Sequence, residues 1–266
     1  MKIYLILVLI LILNPISDLQ IITRIHVKAD KIYIDNFDNL YVISGSSLIK
    51  YNLKGEKLFV FDNPFNENIS FADVKNPMKI LIYFENQNKL VFLDNKLSLI
   101  GDEINLESKN LYNDLLICES ESGGFWLTDV SNKVLIKYTS DFKEEFRKDL
   151  FELNEIPDFL FSNMNSLFIK TIKGSVLVYD NLGNYNFKIN KKIHSEFQVF
   201  SDDLHYFNKK NNSFISYNMN TGDSTIVVLQ DTLSIQNVVY SLPYLFFNDN
   251  RNVYVSELIN ERKDKR

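Results

Sequence analysis

The chain has 266 residues and a net charge of −5, long enough to bury a sizeable core and too acidic for a general nucleic-acid binder. Its one cysteine, Cys118, excludes an internal disulfide. With only two alanines (Ala29 and Ala72) against 14 tyrosines and 21 phenylalanines, the composition favours strands over helices.

The chain begins MKIYLILVLILILNPISDLQ, with Lys2 ahead of an unbroken apolar run over residues 3–13 and a break at Asn14-Pro15. That run is about half the ~20 residues a membrane-spanning helix needs. It reads as the apolar region of a signal peptide over residues 1–18, cleaved at Ser17 or shortly after. An uncleaved anchor is the alternative. No later apolar run reaches membrane length, so residues 19–266 are expected to form one exported domain without a membrane span, in the periplasm or outside the cell.

Beyond residue 30 the chain repeats itself. LIKY occurs at Leu48 to Tyr51 and again at Leu135 to Tyr138. Hairpin patterns, two short apolar runs joined by a polar turn, start at Leu40, Ile80, Phe125, Leu167, Leu204 and Leu245, which are 40, 45, 42, 37 and 41 residues apart. Each is preceded by a further apolar run (31–35, 69–74, 114–120, 157–163, 197–201, 234–241), and often followed by a more polar one. Four strands in about 41 residues make one propeller blade. The sixth unit lacks a fourth strand, and the orphan run IITRIHV (21–27) can supply it by pairing beside residues 253–259. The expected fold is an all-β, six-bladed propeller of four-stranded antiparallel blades, its last blade closed by the N-terminal strand. A solenoid, a β-sandwich, or a five- or seven-bladed ring are the alternatives.

The stretches DNFDNLYVIS (35–44) and LIKYNLKGEKLFVF (48–61) resemble the repeats of NHL- and TolB-like six-bladed propellers, in which D-x-x-G-N-L-Y-V is followed by I-x-K-Y-D-x-x-G. The likeness is strongest in the first unit, and Asp38 stands where those repeats usually carry glycine. The resemblance implies the fold and carries no catalytic residue across.

Sequence motifs for chemistry are absent. His26, His194 and His205 have no metal-ligand spacing, and there is no C-x-x-C or G-x-S-x-G. His26 reads as a residue of the closing strand, His205 as a satisfied imidazole and Trp126 as core. The Asp/Asn clusters at 35–39, 201–204 and 248–252 read as turns before they read as calcium ligands. No catalytic residue, metal or cofactor is assigned. Charge is the remaining signal. Loops of the last three units carry Lys170, Lys173, Lys191, Lys192, Lys209, Lys210 and Arg251, and the connections after units two and three carry Asp102, Glu103, Glu107, Asp149, Glu152 and Glu155. In a propeller these loops share one face, so the seven cations are the expected partner-binding surface. The functional expectation is a monomeric, non-enzymatic interaction platform for a protein partner in the bacterial envelope, such as outer-membrane assembly or secretion machinery. The alternative is a lactonase-like hydrolase or lyase using the central channel, with or without Ca²⁺.

Overall fold

A computed structural model describes residues 19–258 apart from 65, 113, 121, 122 and 230–232. Residues 1–18, expected to be a signal peptide, and the polar tail from 259 lie outside the described residues. Twenty-four strands build six four-stranded antiparallel sheets. After β1 (Leu19–Ile25), the first blade is β2 (Lys31–Ile34), β3 (Leu40–Ser44), β4 (Ser47–Tyr51) and β5 (Lys57–Asp62); the second is β6 (Phe71–Asp73), β7 (Ile80–Phe84), β8 (Lys89–Leu93) and β9 (Leu99–Asn105). The third is β10 (Leu115–Glu119), β11 (Phe125–Asp129), β12 (Val134–Tyr138) and β13 (Glu144–Asp149), and the fourth β14 (Pro157–Ser162), β15 (Ser166–Thr171), β16 (Val176–Asp180) and β17 (Tyr185–Lys188). The fifth is β18 (Phe197–Phe200), β19 (Asp203–Asn208), β20 (Ser213–Asn218) and β21 (Ser224–Val228), and the sixth combines β22 (Asn237–Ser241), β23 (Tyr244–Asn248) and β24 (Val253–Leu258) with β1.

Six apolar clusters hold the ring, each shared by two neighbouring blades. Tyr41, Ile43 and Leu48 of the first blade meet Ile80, Ile82 and Val91 of the second. The last cluster joins Phe246, Val253 and Val255 of the sixth blade to Ile32, Leu40 and Val42 of the first, which closes the circle. Because both faces of a middle strand are covered, β7 and β11 are buried along their whole length and read as continuous apolar runs. The closing strand pairs antiparallel with β24, from Leu19 opposite Leu258 to Ile25 opposite Val253. Thr23 also bonds the Leu53 carbonyl through its hydroxyl at 3.1 Å, so the strand touches the first blade as well as completing the sixth.

The two LIKY stretches occupy one structural position, the third strand. Their lysines are both buried, and each lies over an aromatic ring directly across the ladder. Lys50 Nζ is 5.0 Å from the Tyr41 ring centre, and Lys137 Nζ is 5.3 Å from that of Trp126. Each also meets a carboxylate, Asp35 at 3.7 Å and Glu145 at 3.1 Å. The polar residue after the third strand closes the next turn. Asn52 Oδ1 accepts from the Lys54 and Glu56 amides, and Asp94 and Asp180 repeat the arrangement at the residues two and four further on.

The outer strands depart from expectation. Beside the charged β13, β5 exposes Leu58, Phe59 and Val60. Asp102, Glu103 and Asp149 lie within outer strands β9 and β13 rather than in connections.

Candidate functional site

Antiparallel order gives the ring two faces. The front carries the turns between first and second and between third and fourth strands; the rear carries the turns between second and third strands and the links between blades. The first strands line a central channel that holds a cavity of about 270 Å³. Its wall includes the aromatic side chains of Tyr33, Phe71, Phe159, Phe161, Phe197 and His205, and Phe159 meets Phe197 edge-on at 5.2 Å between ring centres.

At the rear mouth, Lys31 of β2 pairs with Glu196 at 2.8 Å. Towards the front, the ends of three first strands converge on a buried polar clasp. Asp73 of the second blade accepts the Glu119 amide of the third at 3.0 Å and pairs with Lys75 at 3.3 Å. Lys75 donates to the Ser162 carbonyl of the fourth blade at 2.7 Å and lies 4.7 Å from the Phe161 ring centre. The Ser162 hydroxyl donates in turn to the Glu119 carbonyl. Burial works against the Lys75 ammonium, but Asp73, by charge and hydrogen bond, together with the ionisable groups of Cys118 and Glu119, outweighs it and holds its pKa above the ordinary value. Burial pushes the Cys118 thiol up to about 12, which leaves it protonated and unreactive.

Glu119 is the most perturbed carboxyl of the clasp. Burial first, then the Asp73 charge, push its pKa up to about 8, against an Asn76 side-chain bond at 3.1 Å that favours ionisation. His205 moves the other way: burial lowers it to about 4, and its ring bonds Ser216 Oγ through Nδ1 at 2.8 Å and stacks on Phe214. A carboxyl raised from 4.5 to about 8 is protonated in the fold and ionised in the unfolded chain, so it removes stability as pH rises through that window. An imidazole lowered from 6.5 to about 4 removes stability as pH falls through its own window. The two slopes cancel between pH 4.5 and 6.5. Their combined contribution is therefore flat there and falls on either side, by about 2 kcal/mol between pH 6.5 and 8 and by under about 1 kcal/mol between pH 4.5 and 4. Glu119→Gln is expected to abolish the alkaline fall and to replace the plateau by the His205 rise up to about pH 6.5, as read from urea midpoints between pH 5 and 9.

Among the described residues, no three His, Cys, Asp or Glu side chains converge as a metal site. The Asp/Asn clusters are turns. Asp35 accepts the Phe37 and Asn39 amides at 2.8 and 2.9 Å and the Tyr41 hydroxyl at 2.9 Å, and Asp249 accepts the Arg251 and Asn252 amides at 2.7 Å. Asp38 has φ 60°, a left-handed backbone that explains why related repeats place glycine there; its carboxylate also accepts the Ser241 hydroxyl across the ring closure. His26 lies just beyond β1, with Nδ1 2.8 Å from Asn252 Oδ1, and Trp126 is buried.

The seven cations fall on three consecutive blades at or near the rear face. Lys170 is only 3% exposed and is paired with Asp158 at 2.5 Å. Lys192 donates to Ser175 Oγ, Lys191 to Ser224 Oγ, and Lys209 to Gln236 at the rear mouth. Lys173, Lys210 and Arg251 sit on exposed turns.

Sequence reasoning missed the front face. The turns between first and second strands, which rim the channel, carry Phe37 (73% exposed), Met78 (62%), Met164 (73%) and Leu242 (69%), with Phe200 at the corresponding end of β18. Five of six blades thus present one large apolar side chain beside the front mouth; the equivalent loop of the third blade includes residues 121 and 122, outside the described set. On the rear, exposed Phe151, Ile156 and Ile172 gather at the junction of blades three and four, and exposed Tyr112 stands on the link from blade two to blade three.

Solved propellers share this architecture. Virginiamycin B lyase from Staphylococcus aureus aligns at 13% identity and a TM-score of 0.62, covering 91% of this chain and 99% of its own. The WD40 domain of Neurospora crassa Pan2 aligns at 12% identity and 0.62, covering 93% and 97%, and BamB from Moraxella catarrhalis at 10% and 0.54, covering 87% and 86%. At these identities the likeness is one of fold. No protein-family profile and no curated protein sequence matches the chain.

Proposed function

We propose that this chain is an exported, non-enzymatic propeller that binds a protein partner in the cell envelope, such as outer-membrane assembly or secretion machinery, through its front face. The observation that carries this reading is the set of apolar turn tips Phe37, Met78, Met164 and Leu242 around the mouth, on four of the six blades, with Phe200 of a fifth beside them at the end of β18, packed on His205 and Tyr240. Large apolar side chains at the tips of polar turns gain nothing in the free protein, whereas aromatic and methionine anchors are enriched where interfaces form. A rigid ring also presents them without an ordering cost at binding.

A hydrolase or lyase in the channel is the second reading, and the chemistry of the site favours it less. Glu119 is engaged by Asn76 and does not line the cavity, and His205 lines it as a neutral ring bonded to Ser216. The cations of the rear face remain a second candidate surface.

Combining Phe37→Ser, Met164→Ser and Leu242→Ser is expected to reduce co-purification of the envelope partner at least tenfold, since each anchor lost from an interface typically costs about 1–2 kcal/mol. The melting temperature should not fall, because all three side chains are exposed. Capture that survives the triple substitution but weakens on charge reversal of Lys209 and Lys210 would assign the partner to the rear face instead.

A further inference from the structure

The channel cavity has a chemistry that the interaction reading does not use. Its volume of about 270 Å³ equals that of about nine waters and approaches the lower range of small-molecule sites. The rings in its wall pack on one another, Phe71 edge-on to Tyr33 and Phe161 tilted against Phe197, both at 6.0 Å between ring centres. The four charges in the lining are already matched in pairs, Lys31 with Glu196 and Lys75 with Asp73, so the wall asks for no net charge from an occupant. His205 is neutral at physiological pH for the reason given above.

Two polar atoms in this wall are left over. The Tyr33 phenol oxygen and the Ser195 hydroxyl are both buried and have no hydrogen-bonding partner. The Ala72 amide acts on the Tyr33 oxygen as a backbone hydrogen-bond donor short of full hydrogen-bonding geometry, so the phenol's own proton has no acceptor. Burial, reinforced by the Glu196 charge, holds Tyr33 far above the ordinary phenol range, which keeps its proton in place. A buried hydroxyl without a partner is destabilising, and an acceptor placed in the cavity relieves that cost.

We propose that the channel is a binding site for a small, uncharged aromatic molecule that carries a hydrogen-bond acceptor, stacked among the channel rings with the acceptor on the Tyr33 hydroxyl. The aromatic side chains of the wall supply affinity through apolar burial and edge-to-face contacts, and the two unpartnered hydroxyls supply selectivity for the acceptor. This site is separate from the front-face anchors, so it stands whether or not those dock a protein.

The test is ligand-observed fluorine NMR on the folded protein with 4-fluorobenzamide, which has an acceptor, and fluorobenzene, which has none. Both should bind in the sub-millimolar to millimolar range, the amide tighter by about two- to tenfold, the factor of one net hydrogen bond. Tyr33→Phe removes only an unpartnered oxygen, so it should leave the melting temperature unchanged or raised while bringing the amide down to the affinity of fluorobenzene. Val239→Trp, which fills the cavity from β22, should abolish both. No line broadening of either probe with the wild-type protein, or equal affinity for the two, overturns the proposal. Binding that survives Val239→Trp also overturns it.

Discussion

Gly124→Ala is expected to abolish the native fold. A methyl group at this position would lie 1.8 Å from the Tyr138 carbonyl oxygen and 2.8 Å from its carbon. Both belong to backbone at the front end of the β11–β12 ladder, where Phe125 pairs with Tyr138 and the two rings stack at 5.2 Å. Overpacking against movable side chains costs about 1–3 kcal/mol. Here the neighbour is backbone held by fully buried strands, and relief requires separating β11 from β12. The cost should therefore consume most of a domain stability of roughly 5–15 kcal/mol. Gly123 provides the control: it has φ 94°, and nothing lies within 4 Å of its added methyl. Gly123→Ala should thus cost only the left-handed penalty of about 1–2 kcal/mol. Denaturant melts of the two variants check the contrast.

Removal of residues 19–25 should have a comparable effect by a different route. Without β1, the edge of β24 loses its ladder, and Val253 and Val255 lose part of the cover that keeps them buried. The sixth blade then ends in an open strand of three apolar residues in four, which invites pairing with other chains. The first blade also loses contacts, because Thr23 and Ile25 approach Gly55 to within 2.9 and 3.0 Å of where its Cβ would stand. The truncated chain is expected to aggregate, and a synthetic peptide spanning residues 19–27 should restore a soluble, cooperatively melting protein by adding the missing strand. Size-exclusion chromatography with and without the peptide reads the result. A truncated chain that melts like the full one would show that the ring is held by the six apolar clusters alone.

The ring was legible in the sequence because a blade is a local unit. Alternating apolar runs and turn formers recur every 41 residues or so, and second strands β3, β7 and β11 begin at the residues their pattern indicates, Leu40, Ile80 and Phe125. The other three begin one residue earlier. The closing strand was legible by elimination, since it was the one run without a partner. The clasp was not legible. Asp73, Lys75, Glu119 and Ser162 come from three blades, and each is an unremarkable polar residue at the end of a strand until the ring brings the ends together. The front anchors left a signal that was overlooked. Single apolar residues sit inside otherwise polar turns, as in DNFDN, NPMK and NMN, where burial in the free chain has no use for them. Counting charges does not tell a free lysine from a paired one: Lys170 looks free in sequence, and in the fold it is buried and paired with the exposed Asp158.

The central claim is that the front face, not the rear, meets the partner. A photo-crosslinking amino acid placed at Met164, at Leu242 and, separately, at Lys210, then activated in intact cell envelopes, measures this directly. The account predicts an adduct of one common mass from Met164 and Leu242, which lie on blades four and six, and none from Lys210 on the opposite face. An adduct from Lys210 alone, or none from either front position, would contradict it.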